Sequence, residues 1–291
     1  MLSAAASLLP ANNRYEPLQA LRRIDQAGGT SACPRDDEEP VFLLATGWRT
    51  GSTLVQRVLS SDKRLALWGE PYGDINLINR LGESVFSYHQ NIAPESVILR
   101  RRAVDLSDKW IANLFPPPYY IRRALQALVY EWLGKPAYDL GYERWGMKEV
   151  RLGYNEAMLL HWLFPKAKFL AVTRNPYPAY NSALQLGPIW DRFPDRRVRD
   201  AFAYGTHWNR LVTGWKGAPT GFPYRLIKLE NVEDGSLDFA EIATMCRLDL
   251  RPAAVVNSKI GASRRHSALT VFDRSLITWT TKRGRDWLGY D

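Results

Sequence analysis

Residues 41–60 read VFLLATGWRTGSTLVQRVLS. Val41 to Ala45 are five consecutive apolar residues, a length that suits a buried strand. Thr46-Gly47-Trp48-Arg49-Thr50-Gly51 follows as a turn with two glycines and one basic residue. From Ser52 onward Leu54, Val55, Val58 and Leu59 recur at helical spacing. A strand, a glycine turn and a helix N-terminus together make a phosphate cradle. The first backbone N–H groups of a helix lack an internal acceptor and point out of its end, where the helix dipole also favours an anion. Gly51 permits close backbone approach, Ser52 and Thr53 add hydroxyl donors, and Arg49 adds a fixed positive charge. The turn is not a Walker A loop: GxxxxGK[ST] needs its glycines five positions apart, Gly47 and Gly51 are four apart, and no lysine precedes Ser52. The bland alternative is an ordinary strand–helix turn carrying an exposed arginine.

The chain of 291 residues is long enough for one large α/β domain or two small ones. Its 46% hydrophobic and 24% charged content is that of a water-exposed globular protein. A net charge of +9 points to an anionic partner. The basic residues are dispersed rather than blocked, which argues against a nucleic-acid tail. Cys33 and Cys246 do not make a disulfide framework and are expected to be free thiols. With no CxxC, no HExxH and four scattered histidines, no metal site is expected. MLSAAASLLPANN at the start is a poor signal peptide, and no run reaches the roughly 18 apolar residues of a membrane span, so a cytoplasmic protein is expected.

Outward from the cradle, residues 1–40 read as an N-terminal arm with a short amphipathic helix over Tyr15–Gln26. Residues 41–291 read as one α/β domain. Leu65 to Trp68 is a second strand, ending at Gly69-Glu70-Pro71. Between 72 and 141 the α/β rhythm is lost, and the stretch, with Arg100-Arg101-Arg102 and a helix from Tyr119 to Leu133, reads as a helical insertion that covers a substrate site or, alternatively, as a helical cap with no ligand contact. Alternation resumes with strands over Trp145–Val150, Lys168–Thr173 and Tyr224–Leu229, and helices over Tyr154–Phe164, Pro176–Leu186, Arg196–Trp215 and Ser236–Cys246. Arg283 to Trp287 reads as the flank of a terminal helix. Strands alternating with helices imply a central parallel sheet flanked by helices, a P-loop-like three-layer fold.

Two strands deliver an arginine and a helix at their carboxyl ends, Arg49 after Ala45 and Arg174 after Thr173, which is where open parallel sheets bind ligands. Ser182 lies eight positions after Arg174, two helical turns on, and with it can hold a second phosphate. Two phosphate sites suit a nucleotide phosphorylated at two places.

At this point GWRTGSTLVQRVL resembles the 5′-phosphosulfate loop of sulfotransferases that use 3′-phosphoadenosine 5′-phosphosulfate (PAPS). FPKAKFLAVTRNPYPAYNSAL resembles their 3′-phosphate segment, and Gly69-Glu70-Pro71 and Gly146-Met147-Lys148-Glu149 resemble the acidic and lysine-bearing strand ends of the tyrosylprotein and carbohydrate branches. Lys259-Ile260-Gly261-Ala262-Ser263-Arg264 resembles a late loop that closes over the nucleotide. An arginine at position 49, where the cytosolic small-molecule branch has lysine, fits a bacterial-type enzyme.

The resemblance implies a sulfotransferase that moves a sulfuryl group from PAPS to a hydroxyl, less readily an amine, of a sugar, phenol, lipid or natural product. It releases adenosine 3′,5′-bisphosphate and needs no metal. Arg49, Thr50, Gly51, Ser52 and Thr53 would hold the phosphosulfate. Arg174 and Ser182 would hold the 3′-phosphate, and Lys259, Ser263 and Arg264 would close the site. Arg49 and Lys148 would neutralise the leaving oxygen, and Glu70 would take the acceptor's proton, with His89 as the fallback base. The alternative for Glu70 is a helix cap or an ion pair with Arg57. His161 and His207 read as packing residues. The rival functions are a P-loop small-molecule kinase, disfavoured by the missing lysine, and a non-catalytic binder of anionic polymers. The partner is expected to be a small molecule or glycan rather than nucleic acid; the oligomeric state stays open, the aromatic excess being compatible with a homodimer.

Overall fold

The computed structural model describes residues 17–28, 33–71, 75–87, 98–100, 105, 107, 114–185, 200–256 and 269–291. Its centre is a five-stranded sheet: β1 (Val41–Ala45), β2 (Leu65–Gly69), β3 (Arg144–Glu149), β4 (Lys168–Thr173) and β5 (Tyr224–Lys228), in the order β2-β3-β1-β4-β5. Every pairing is parallel, with Val41 opposite both Gly146 and Lys168, Leu65 opposite Arg144 and Phe169 opposite Tyr224. The apolar run of β1 is explained by burial on both faces, as a central parallel strand requires. Phe42 and Leu44 point into one core with Trp145, Met147, Phe169 and Ala171. Val41 and Leu43 point into another with Leu170, Val172 and Ile227.

Helices cover both faces, giving the three-layer α/β fold. The first core is roofed by α1 (Pro17–Gly28), α3 (Leu77–Phe86), α4 (Tyr119–Val129) and α6 (Tyr154–Leu163), through Leu21, Ile24, Ile78, Phe86, Val129 and Leu160. The second is closed by α2 (Ser52–Leu59), α9 (Leu229–Glu233) and α10 (Phe239–Cys246), through Val55, Leu59, Val232 and Ile242. The intervening helices are α5 (Lys135–Asp139), α7 (Pro176–Leu184) and α8 (Ala201–Lys216), and α11 (Pro252–Val256) and α12 (Val271–Leu288) end the series. No helix among the described residues is long and apolar enough to cross a membrane.

Several elements differ from the sequence-based expectation, each for a local reason. The helix expected over Ser236–Cys246 starts at Phe239, because the Asp238 carboxylate accepts from the N–H groups of Ala240 and Glu241 and fixes the cap there. The helix from Tyr119 widens into a π turn over Tyr130–Gly134; Pro136 carries no N–H to close onto Trp132. The terminal segment is a full helix, α12, lying along α8. Its buried stripe is Ile277, Thr281, Gly284 and Leu288. The two helices meet where a Cβ on Gly284 would lie 2.7 Å from Trp208 and one on Gly205 would lie 2.0 Å from Thr280 Oγ1.

Candidate active site

Because the strands are parallel and in register, the residues that follow β1, β2, β3 and β4 emerge at one edge of the sheet. The turn after β1 is anchored to β4: Thr46 N donates to Val172 O at 2.8 Å, and the Thr46 and Thr173 hydroxyls are bonded at 3.0 Å. Within the turn, Thr50 Oγ1 donates to Gly47 O at 3.1 Å. Gly47, Arg49 and Gly51 have φ of 129°, 63° and 83°, so the chain coils tightly before α2 begins. Thr50 and Ser52 are buried; Arg49 and Thr53 are exposed. The buried Tyr204 hydroxyl donates to Trp48 O at 3.0 Å and holds the turn from the α8 side.

The second segment closes against the first. Pro176 at the first turn of α7 and the Asn175 side chain, which accepts from Tyr177 N, set the helix start directly after β4. Arg49 Nε donates to Ser182 Oγ at 2.9 Å, and Arg174 Nη1 reaches Arg49 O at 3.4 Å. The two expected phosphate segments thus meet through Arg49, Arg174 and Ser182. Trp208 Nε1 donates to Arg174 O at 3.1 Å. Glu230, on α9, accepts from Asn175 N at 2.8 Å and from the Tyr290 hydroxyl at 2.8 Å. Burial and the Glu230 carboxylate push the Tyr290 phenol well above its ordinary range.

On the other side of β1, the ends of β2 and β3 bring Glu70 and Lys148 together. Glu70 N donates to Lys148 O at 2.7 Å, and Lys148 Nζ donates to Glu70 Oε1. Lys148 is buried, so it is not the surface lysine that a strand end alone would allow. Glu70 is half-buried, and its second oxygen lies 3.3 Å from Arg151 Nη1. The same Nη1 donates to Glu149 Oε1 at 2.6 Å. Glu149 also accepts from Val150 N at 2.7 Å, and burial pushes its carboxyl above the ordinary value against the pull of Arg151. The ion-pair partners of Glu70 are therefore Lys148 and Arg151; facing β2, it is Gln56 of α2 that bonds Leu67 O, at 3.0 Å.

Sequence reasoning missed Arg151, Glu149, Glu230 and Tyr290. For the first two the local signal was three charges within four positions, Lys148, Glu149 and Arg151, at the end of one strand. Lys259, Ser263, Arg264 and His89 lie outside the described residues. His161 and His207 are packing residues: His161 stands edge-on to Phe222 at 5.1 Å with burial lowering its basicity, and His207 lies 5.3 Å from the Trp48 ring. A cavity of about 810 Å³ lies away from this edge, between α1, α6 and Phe222. Among its lining residues Arg122 pairs with Asp36, and Asp25 accepts from Trp162 Nε1 at 2.9 Å. Among the described residues no group of three or more His, Cys, Asp or Glu side chains is placed to hold a metal ion.

The arrangement is rich in donors and cations: Arg49, Arg174, Lys148, hydroxyls, and the first N–H groups of α2, which have no acceptor among the described residues. It suits an extended polyanion lying across the edge, with one carboxylate beside it. A family model described as the sulfotransferase family matches residues 40–225. Among solved structures, the chain is similar to the sulfotransferase domain of the olefin synthase of Synechococcus PCC 7002, with 17% identity over 90% of this chain and 99% of that one and a TM-score of 0.46. It is similar to the sulfotransferase domain of the curacin biosynthetic pathway at 12% identity over 87% and 98%, with a TM-score of 0.48. It is similar to a sulfotransferase of Alicyclobacillus acidocaldarius at 14% identity over 87% and 97%, with a TM-score of 0.45. No curated protein sequence matches it. The family match covers more than half of the chain and contains β1 to β4 with every residue of the edge constellation up to Ser182: the chain belongs to the sulfotransferase family.

Proposed function

We propose that the chain moves a sulfuryl group from PAPS to a hydroxyl, less readily an amine, of a small-molecule or glycan acceptor, by direct in-line transfer. The observation that carries this reading is the meeting of Arg49 with Ser182 and Arg174. It joins the phosphate cradle of β1–α2 to the start and second turn of α7, as a nucleotide with phosphates at two positions needs. Arg174 and Ser182 bind the 3′-phosphate. Thr50, Gly51, Ser52, Thr53 and the α2 N-terminus hold the phosphosulfate, and Arg49 and Lys148 neutralise charge on the bridging oxygen as it leaves. Glu70 takes the proton of the acceptor. Residues 41–291 act as one domain, with 1–40 as an arm whose helix α1 packs onto the core of that domain.

Calorimetric titration with adenosine 3′,5′-bisphosphate, with and without magnesium and alongside ATP, tests the donor. Metal-independent binding that favours the bisphosphate and weakens at least tenfold in Arg174→Ala is the expected result, since a charged hydrogen bond contributes about 1.5–3 kcal/mol. A preference for ATP with magnesium supports a kinase instead. Binding of neither removes the nucleotide reading.

A further inference from the structure

The pairing of Glu70 gives a role to a residue that no motif marks. Arg151 is 6% exposed and sits just past the end of β3. Its Nη1 is shared between Glu149 Oε1 at 2.6 Å and Glu70 Oε2 at 3.3 Å, and its guanidinium carbon lies 5.5 Å from the centre of the Trp48 ring. One side chain thus touches the ends of β2 and β3 and the turn after β1. Glu149 is buried and spends Oε1 on Arg151 and Val150 N, which fixes the guanidinium from beneath. The two hydrogens of Nη1 can serve one carboxylate each, so a single nitrogen of this always-charged guanidinium bridges both. The charged groups facing Glu70 are Lys148 on Oε1, Arg151 on Oε2, and Glu149 behind Arg151.

We propose that Arg151 is a positioning residue, which holds the Glu70 carboxylate through Oε2 so that Oε1, beside Lys148, takes the acceptor's proton. The inference rests on Glu70 being the base in the transfer reaction proposed above. In that step the acceptor oxygen forms a bond to sulfur, and the bond from sulfur to the bridging phosphate oxygen breaks. Its electron pair stays on the phosphate beside Lys148, and the acceptor proton goes to Oε1. With Arg151 in place, departure of Lys148 toward the leaving oxygen frees Oε1 without freeing the carboxylate to rotate. Arg151 also lies against the Trp48 ring of the cradle turn, so the titration with adenosine 3′,5′-bisphosphate separates an effect on donor binding from an effect on the chemical step through Glu70.

The test uses water as acceptor, so that no acceptor need be known. Release of labelled sulfate from sulfur-35 PAPS is followed for wild type, Glu70→Gln, the pair Glu149→Gln/Arg151→Met and the triple variant, each alongside titration with adenosine 3′,5′-bisphosphate. The pair is neutralised together so that no buried carboxylate is stranded. Arg151→Lys, which keeps a charge opposite Glu149, replaces it if the pair does not fold. The pair should release sulfate about tenfold to a hundredfold more slowly, with bisphosphate affinity within about threefold of wild type, and the triple variant should be no slower than Glu70→Gln alone. Wild-type turnover in the pair overturns the inference, and so does the same fold-loss in the Glu70→Gln background, because Arg151 then acts independently of Glu70. Wild-type turnover in Glu70→Gln removes the base itself, and failure to bind the bisphosphate removes the donor. Both are read separately from the coupling between Arg151 and Glu70.

Discussion

Gly51→Ala should destabilise the fold by about 2–5 kcal/mol, and the figure follows from two features of one residue. Gly51 is the residue before α2 and has φ 83° and ψ 9°, in the left-handed region. An alanine there costs about 1–2 kcal/mol through the contact of Cβ with its own carbonyl. The added Cβ would also lie 2.3, 2.7 and 2.9 Å from three atoms of the Leu229 side chain. Leu229 is 4% exposed and packs in the core with Val55 and Leu59, so it cannot swing aside freely. Overpacking of this kind costs about 1–3 kcal/mol. The sum is a large part of an ordinary stability of about 5–15 kcal/mol. Urea denaturation of wild type, Gly51→Ala, Leu229→Ala and the double variant separates the two parts. Truncating Leu229 removes the clash but not the backbone strain, so the double variant should be more stable than additivity predicts by about 1–3 kcal/mol. A Gly51→Ala loss below about 0.5 kcal/mol, or strict additivity in the cycle, would refute the reasoning. It would show that the turn relaxes instead of holding the α2 N-terminus in place.

Three further outcomes are expected. Asp62 accepts from Arg64 Nη2 at 2.6 Å and from Asp249 N at 2.8 Å, and these bonds, with the Arg64 guanidinium foremost, hold its carboxyl well below the usual carboxylate range. A depressed folded value gives stability that is present above the unfolded value of about 3.9 and is lost as pH falls through the folded one. Asp62→Asn should therefore cost about 1–3 kcal/mol at neutral pH, with the gap to wild type closing below about pH 4; an equal gap in urea titrations at both pH values contradicts this. Tyr290→Phe removes the bond to Glu230 that steadies Asn175 N, and should raise the dissociation constant for adenosine 3′,5′-bisphosphate about threefold to tenfold, read by calorimetry; unchanged affinity would mean that Glu230 holds the segment unaided. Glu70→Gln should lower turnover roughly a hundredfold or more with little change in bisphosphate affinity, and unchanged turnover would remove Glu70 from the mechanism.

The strands at the centre of the fold were legible because central parallel strands are apolar on both faces. Val41–Ala45 and Lys168–Thr173 have the bounds that their apolar runs imply. Helix α12 was not legible, and its buried stripe shows why. Thr281, Gly284 and Arg285 are buried alongside Ile277 and Leu288, so the face that packs is not an apolar face. Close packing of α12 on α8 comes from glycines, Gly284 against Trp208 and Gly205 against Thr280, and a search for hydrophobic periodicity passes over a glycine seam. The N-terminal residues show the same limit. Tyr15–Gln26 reads as a helix from its own spacing, but only the tertiary structure places Leu21 and Ile24 in the core beneath Phe42 and Leu44.

The candidate site divides along the same line. Arg49 and Arg174 could be named because each lies just past the end of a strand, and parallel alignment brings strand ends together whatever else the chain does, whereas Glu70 and Lys148 were named through the family resemblance. Which charges pair at that edge is a different kind of fact. Sequence proximity suggests Arg57 as the partner of Glu70, yet α2 presents Gln56, not Arg57, to the Leu67 carbonyl, while the chain leaving β3 turns the distant Arg151 inward against Glu149. The selection is made by burial. A guanidinium that enters a water-poor edge must find carboxylates there, because the desolvation of a lone cation is worth several kcal/mol. Glu149 supplies one at full depth and Glu70 the other at half depth. The pairing of Glu70 is thus a consequence of where Arg151 can be buried, and the position of the proposed base depends on a residue whose own sequence context shows only a charge at the end of a strand.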